Sequence, residues 1–352
     1  MWKKKIILII FYYIMTCLGV IKLFYWLNRK KRLILTYHNI IPDDLFDHTY
    51  HLGVSHSESI FKNQIKLISR RFSYNLKEKK MFRCVITFDD GYKNQMEIAA
   101  RILNSYDLKG LFFISFQSLI SGRALIIDRV MMWISYVPVG EYNIIGNLTK
   151  INDENRSLIA STLYDHLIKN YKLWDEIEEN LNNSFEFNRL TIDPHLARLR
   201  FKPLTADDLK KLVYEGHLIG AHSWSHRPLS RLPIEIQKED FLKCRLLVKK
   251  HCNSLLYSYP FGGIQEVSPI TTKLCEECGF SAAYMNIPEA PLWLDVNADY
   301  ILPRLSLPNE SNKYLINGKL SGFEFFCKKI INYTYMKIKF LRLFYNAKKR
   351  LS

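Results

Sequence analysis

The chain is short of acid. It carries 34 aspartates and glutamates against 50 lysines and arginines, a formal net charge of +16 over 352 residues. That balance favours anionic surroundings: membrane lipid, acidic glycan or nucleic acid. The excess of base lies partly at the two ends, and no nucleic-acid-binding motif accompanies it, so nucleic acid is not expected as a partner. Cysteine is scattered and odd in number, seven in all. Cys275 and Cys278 have the spacing of a metal knuckle, but no second pair completes it, and Ser268 to Cys278 reads as an ordinary helix before Gly279. Nothing in this usage calls for an oxidising compartment. Charge is absent from Ile6 to Ile21, and no small-residue cleavage site follows that run. A retained anchor is therefore expected rather than a removed signal peptide.

What is present argues for a folded α/β protein. Hydrophobic residues make up 48% and charged residues 24%, enough for a sizeable core and against global disorder. The apolar run continues past Lys22 through Leu23 to Leu27, so residues 1–32 are expected to hold a single-pass N-terminal transmembrane helix, with Tyr25 and Trp26 at the interface. Lys3 to Lys5 flank one side and Arg29 to Arg32 the other, which leaves the side of the remaining chain open. Leu33 to Tyr37, Phe82 to Ile86 and Leu111 to Ile114 read as strands, with helical spacing over Ser57 to Ser69 and Lys93 to Tyr106. Helices alternating with apolar strands predict a parallel architecture, and composition alone does not separate a barrel from an open sheet.

Two short stretches carry the chemistry. Thr87-Phe88-Asp89-Asp90-Gly91-Tyr92 sets two adjacent acids and a glycine turn at the end of a strand, where an α/β protein presents charge. Two acids pointing inward there are costly without partners. His222-Ser223-Trp224-Ser225-His226 follows the strand-like Leu218 to Ala221. Imidazoles at i and i+4 face the same way if the turn between them is helical, and two imidazoles with one carboxylate suit a Zn²⁺-type site with an open position.

With these stretches and Tyr259-Pro260-Phe261-Gly262 in this order, the chain resembles the polysaccharide deacetylases, a carbohydrate esterase family that includes chitin and peptidoglycan deacetylases. The likeness covers most of Leu33 to Leu305. It implies an irregular, incomplete (β/α) barrel spanning residues 33–310. It also implies a divalent metal (Zn²⁺ first, Co²⁺ or Ni²⁺ as alternatives) on Asp90, His222 and His226. Asp89 becomes the general base, the amide of Tyr92 a donor to the oxyanion, and Tyr259, Pro260, Phe261 and Trp224 candidates for the substrate groove. Trp224 is equally readable as packing. The function implied is removal of N-acetyl groups from a cell-surface polysaccharide or its precursor. The rivals are hydrolysis of another amide or an O-acetyl ester, and a silent glycan-binding protein on the same fold.

The chain departs from that pattern twice. Ser258 stands where many members have an arginine that pairs with the base, and Leu302-Pro303-Arg304-Leu305 lacks the histidine that protonates the leaving amine in many members. Arg304 then becomes a group to orient Asp89 or bind substrate, and His38, at the end of the first strand, the candidate acid. His48, His51 and His56 read as surface-loop histidines. Residues from about 124 to 201 match the family poorly and read as a helical insertion, with Leu158 to Leu181 as one helix, serving either as a wall over the groove or as added stability. The tail, 311–352, is basic and amphipathic, and is expected on a membrane surface or docked on the barrel.

Overall fold

The computed structural model describes residues 2–29, 31–46, 54–72, 84–144, 146–170, 172–183, 194–251, 254–287 and 299–331. His48, His51 and the tail beyond 331 lie outside them. Two helices open the chain, α1 (Trp2–Cys17) and α2 (Val20–Leu27). Seven strands follow: β1 (Leu33–Tyr37), β2 (Cys84–Phe88), β3 (Gly110–Ile114), β4 (Leu218–Ala221), β5 (Leu256–Ser258), β6 (Ala282–Asn286) and β7 (Leu302–Ser306). Each pairs in parallel with its neighbours in sequence, and β7 pairs with β1, so the sheet closes. The expected (β/α) barrel is therefore present, but it is a closed ring of seven strands rather than an incomplete one.

Alternation along the strands divides the residues. Ile34, Val85, Leu111, Phe113, Leu218, Leu256, Tyr284 and Leu302 form one cluster, the apolar plug inside the barrel. Two residues further along, Thr87, Ser258 and Arg304 continue the inward face as a polar layer at the carboxyl ends of the strands, all three buried. The outward set, including Leu35, Tyr37, Phe88 and Phe112, joins the main core under the surrounding helices. Those helices include Glu58–Arg71, Ala206–Tyr214, Ile234–His251 and Pro269–Glu277.

Several expectations change. The first acid-bearing strand starts at Cys84 and runs on through Phe88, delivering Asp89 directly from its end. The helix after it contains a wide π-type turn over Gln95–Ala100. The insertion is not wholly helical: Gly140–Ile144 and Asn147–Ile151 form an antiparallel hairpin. The segment read as one helix is two, Arg156–Lys169 and Lys172–Asn183. The insertion packs a core of its own around Trp133, Ile134 and Trp174. The single transmembrane helix is not formed either. Among the described residues no single helix is long and apolar enough to cross a bilayer, because α1 and α2 meet at 73°. The break lies at Gly19, whose φ of 76° puts it in the left-handed region.

Candidate active site

All three motifs converge at the carboxyl end of the barrel. A cavity there is lined by His38, Asp89, Asp90, Tyr92, Ile127, Asp128, Tyr164, His222, His226, Phe261 and Asn286, with Val54 at its edge. The backbone is bent hard to achieve this. Asp90, Ser223, His226 and Phe261 all have positive φ, and among the described non-glycine residues only Asp107 shares that conformation. Strain concentrated at one site marks a place where geometry outweighs local preference. Gly91 completes the acid turn at φ 78°, and a Cβ there would come within 3.1 Å of Ile114.

Asp90, His222 and His226 bring one ligand atom each to within 4.8 Å of one another, all three residues buried. Nε2 of His226 and of His222 lie 3.0 and 3.3 Å from Asp90 Oδ1. That oxygen is buried, yet no donor is aligned on it as a hydrogen bond. Three donors crowded round one point without satisfying each other fit a divalent cation. The electrostatics agree. Burial pushes the Asp90 carboxyl up, but the neighbouring His226 and His222 imidazoles outweigh it and hold the acid well below its usual range. Burial pushes His222 down, and Asp89 and Asp90 more than reverse this, so it is raised. A cation held by these three groups would meet a site whose charges already favour positive charge at its centre. His222 Nδ1 lies 2.8 Å from the Ser258 carbonyl, which suits a proton on Nδ1 and leaves Nε2 as the ligand atom.

The His222–His226 turn is not helical; it is a bend held from beneath by Asp240, a buried acid that was not read from the sequence. Asp240 accepts from Ser223 Oγ at 2.9 Å and from the Trp224 amide at 3.0 Å, and the His226 amide donates in turn to Ser223 Oγ at 3.0 Å. Burial pushes this carboxyl above its ordinary value in spite of those bonds. The available signal was an acid on the inner face of Ile234–His251, among Gln237, Phe241, Cys244 and Val248.

Asp89 faces the other side of the cavity. Arg304 grips it with two bonds, Nη1 to Oδ1 and Nη2 to Oδ2, both 2.6 Å, and Ser258 Oγ adds a third at 3.3 Å. The guanidinium is itself wholly buried and donates also to Thr87 Oγ1. Burial raises the Asp89 pKa, and Arg304 together with His222 more than cancels it, so the carboxyl is held below its usual value. His38 Nε2 lies 3.8 Å from Asp89 Oδ2. Burial lowers its pKa more than the two acids raise it, so the free imidazole is mostly neutral near pH 7.

The groove residues divide. The Phe261 ring lies 5.0 Å from that of His226, tilted against it, and 5.9 Å from that of Tyr164 of the insertion, edge to face. The Tyr92 hydroxyl donates to Asp128 at 2.7 Å. Its backbone bridges Pro203 through the neighbouring Gly91 carbonyl and Lys93 amide rather than through its own N–H. Trp224, Tyr259, Pro260 and Arg304 do not line the cavity. Tyr259 is buried, with its hydroxyl on the Tyr300 carbonyl, and Lys243 lies over the half-buried Trp224 ring. Ile127, Asp128 and Tyr164, all from the insertion, were missed, since a wall contributed from a separate core has no local signature. His56 is buried against the Leu307 carbonyl rather than on a loop surface.

A sequence profile of the polysaccharide deacetylases matches residues 165–283. Over that stretch the chain is similar to that family. The matched stretch holds both histidines and the Tyr259–Gly262 segment; the acid pair precedes it and joins the site through the barrel. No curated protein matches the chain significantly. Among solved structures, Streptococcus pyogenes deacetylase PplD in complex with acetate shares the fold, at 15% identity and a TM-score of 0.51 over 81% of this chain and 96% of that one. IcaB from Ammonifex degensii aligns at 14% identity and a TM-score of 0.46, covering 81% and 95%. The putative polysaccharide deacetylase BA0330 from Bacillus anthracis aligns at 13% and 0.48, covering 82% and 68%.

Proposed function

We propose that this protein is a divalent-metal-dependent deacetylase acting on N-acetylated sugars of a cell-surface polysaccharide or its precursor. The observation that carries the reading is the buried Asp90–His222–His226 cluster, with Asp89 held by Arg304 across the same cavity. Zn²⁺ suits the donor set, and Co²⁺ or Ni²⁺ are the alternatives. Bound there, the ion would supply Lewis acidity, activating water and polarising the acetyl carbonyl.

The protein's own groups do the rest. Asp89 takes the proton of the attacking water. Arg304 and Ser258 keep that carboxylate ionised and fix its orientation, the task an arginine at position 258 would otherwise perform. His222, oriented by the Ser258 carbonyl, and His226, packed against the tilted ring of Phe261, keep the ligand set in place. The Tyr92 amide is the candidate donor to the developing oxyanion. When the carbon–nitrogen bond breaks, acetate leaves and the sugar nitrogen needs a proton. Asp89 now holds one, and the neutral His38 beside it can take it and pass it on; a lowered pKa makes the imidazolium a better acid. Phe261 and Tyr164 offer ring faces to the sugar.

Acetate release from a panel of N- and O-acetylated glycans, with the stripped protein and with Zn²⁺, Co²⁺ or Ni²⁺ restored, tests the proposal. Metal-restored release from an N-acetylated glycan is expected. Release only from O-acetyl esters would reassign the substrate, and glycan binding with no release under any metal would make the chain a silent binding protein.

A further inference from the structure

A broad apolar surface lies outside the catalytic site, where α1 and α2 pack against residues 313–331. One side of the α1–α2 pair is part of the fold. Tyr12, Ile21 and Tyr25 are buried in the main core. The Tyr25 hydroxyl donates to Asn317 Oδ1 at 2.8 Å and Asn28 Nδ2 to the Ser321 carbonyl at 2.9 Å. Phe11, Tyr12 and Phe24 surround the ring of Phe323 at 5.9, 6.1 and 5.1 Å. Lys5 reaches Glu310 at 2.6 Å.

The opposite side is apolar and bare. Ile7, Ile10, Ile14 and Leu18 recur on one face of α1 and its end, between 45% and 68% exposed. Leu23, Trp26 and Leu27 continue it on α2, and Phe326, Ile330 and Ile331 on the helix that begins at 323. A groove of about 640 Å³ runs along the seam between α1 and residues 308–331, walled by Leu8, Phe11, Leu315 and Ile331 among others. Lys3, Lys4, Lys22 and Lys329 are exposed on these same helices, and no acidic residue precedes Asp43. Isolated monomers rarely show so continuous an apolar patch.

We propose that α1, α2 and the helix from 323 form one monotopic docking surface, which lies in the plane of an anionic bilayer with its apolar face in a single leaflet. A crossing helix needs about 20 consecutive apolar residues. Here α1 is 16 residues long with Lys3, Lys4 and Lys5 among them, and α2 is 8 residues long with Lys22 in it. Straightening them at Gly19 would pull Ile21 and Tyr25 from the core and break both hydrogen bonds to the Asn317–Ser321 segment. A second copy of the chain is a poor occupant, because a symmetric contact would set the same lysines against each other, whereas anionic headgroups neutralise them. The N-terminus and the catalytic cavity then stay on the same side of the membrane.

The full chain, purified in mild detergent, is mixed with vesicles of phosphatidylcholine alone or with an equal part of phosphatidylglycerol, and sedimented. Binding should favour the anionic vesicles, and the triple variant Ile7→Glu, Ile10→Glu, Ile14→Glu should bind about tenfold more weakly or worse while keeping its circular dichroism. Undiminished vesicle binding overturns the proposal, as does a dimer that buries this face and ignores vesicles. Should the triple variant not fold, a second measurement decides. Lys4→Cys and Lys210→Cys proteins in sealed membranes are treated with an impermeant maleimide, and labelling of the parent is subtracted. Both should react from one side; reaction from opposite sides shows a crossing anchor and ends the proposal.

Discussion

Removing the guanidinium from Asp89 is the most informative perturbation of the site. Arg304 and Asp89 form a buried ion pair with two 2.6 Å bonds, 215 residues apart in sequence. Deleting one partner of such a pair costs about 3–5 kcal/mol, because the other charge is left buried without compensation. Arg304→Met keeps the volume and removes the charge, so it should destabilise the fold by that order. Part of this is relieved if the carboxyl takes up a proton, since burial alone pushes Asp89 upward. The sign follows. In the native protein the depressed carboxyl contributes stability that is present above its unfolded pKa and lost as pH falls through the folded one. In Arg304→Met the carboxyl rises, so the acidic limb of activity should move to higher pH, while the stability deficit relative to the parent should shrink as pH falls and the buried carboxyl takes up a proton. Asp89→Asn combined with Arg304→Met removes both charges, and should fall short of the summed single losses by about 2 kcal/mol. Urea denaturation at pH 7 of the four proteins, with pH–rate profiles for the parent and Arg304→Met, reads all of this. Additive losses together with an unmoved acidic limb would refute the view that Arg304 holds the base ionised.

Other outcomes are expected from the same geometry. His38→Gln should lower turnover about 10²-fold with metal content unchanged; near-normal turnover would leave Asp89 to return its own proton. Asp240→Ala should weaken metal affinity about 10–100-fold by calorimetric titration, since the His222–His226 bend loses its support; unaltered affinity would show that the bend holds itself. His217 is buried, accepts from the Gly110 amide at 3.0 Å, and is pushed down to about 4 by burial and by Lys109. Its contribution is present above the unfolded value near 6.5 and lost as pH falls toward 4. Stability should therefore drop by up to about 3 kcal/mol over that window, and His217→Gln should flatten the drop.

The meeting of the candidate site's residues was legible in the sequence because they lie in short motifs. Asp89-Asp90-Gly91 and His222 to His226 each sit within a few residues of an apolar strand, and a parallel α/β chain sends such positions to one end of its sheet whatever the details of closure. The alternation of strands and helices, and the order of the three motifs, also needed only local pattern. Tertiary structure decided what depends on residues far apart. Arg304 pairs with Asp89 because a ring of seven strands sets β7 beside β1 and β1 beside β2, and an incomplete barrel would not have forced that meeting. Asp240 lies under the histidine bend because a helix after β4 packs back on it. Asp128 and Tyr164 reach the cavity from a core that shares no period with the barrel. At the N-terminus, hydropathy counts apolar residues but does not see the left-handed Gly19 or the buried bond from Tyr25 to Asn317. Those contacts turn a run long enough to cross a membrane into a bent pair built into the domain, since the energy of packing is set by the partner across the gap and not by the run itself.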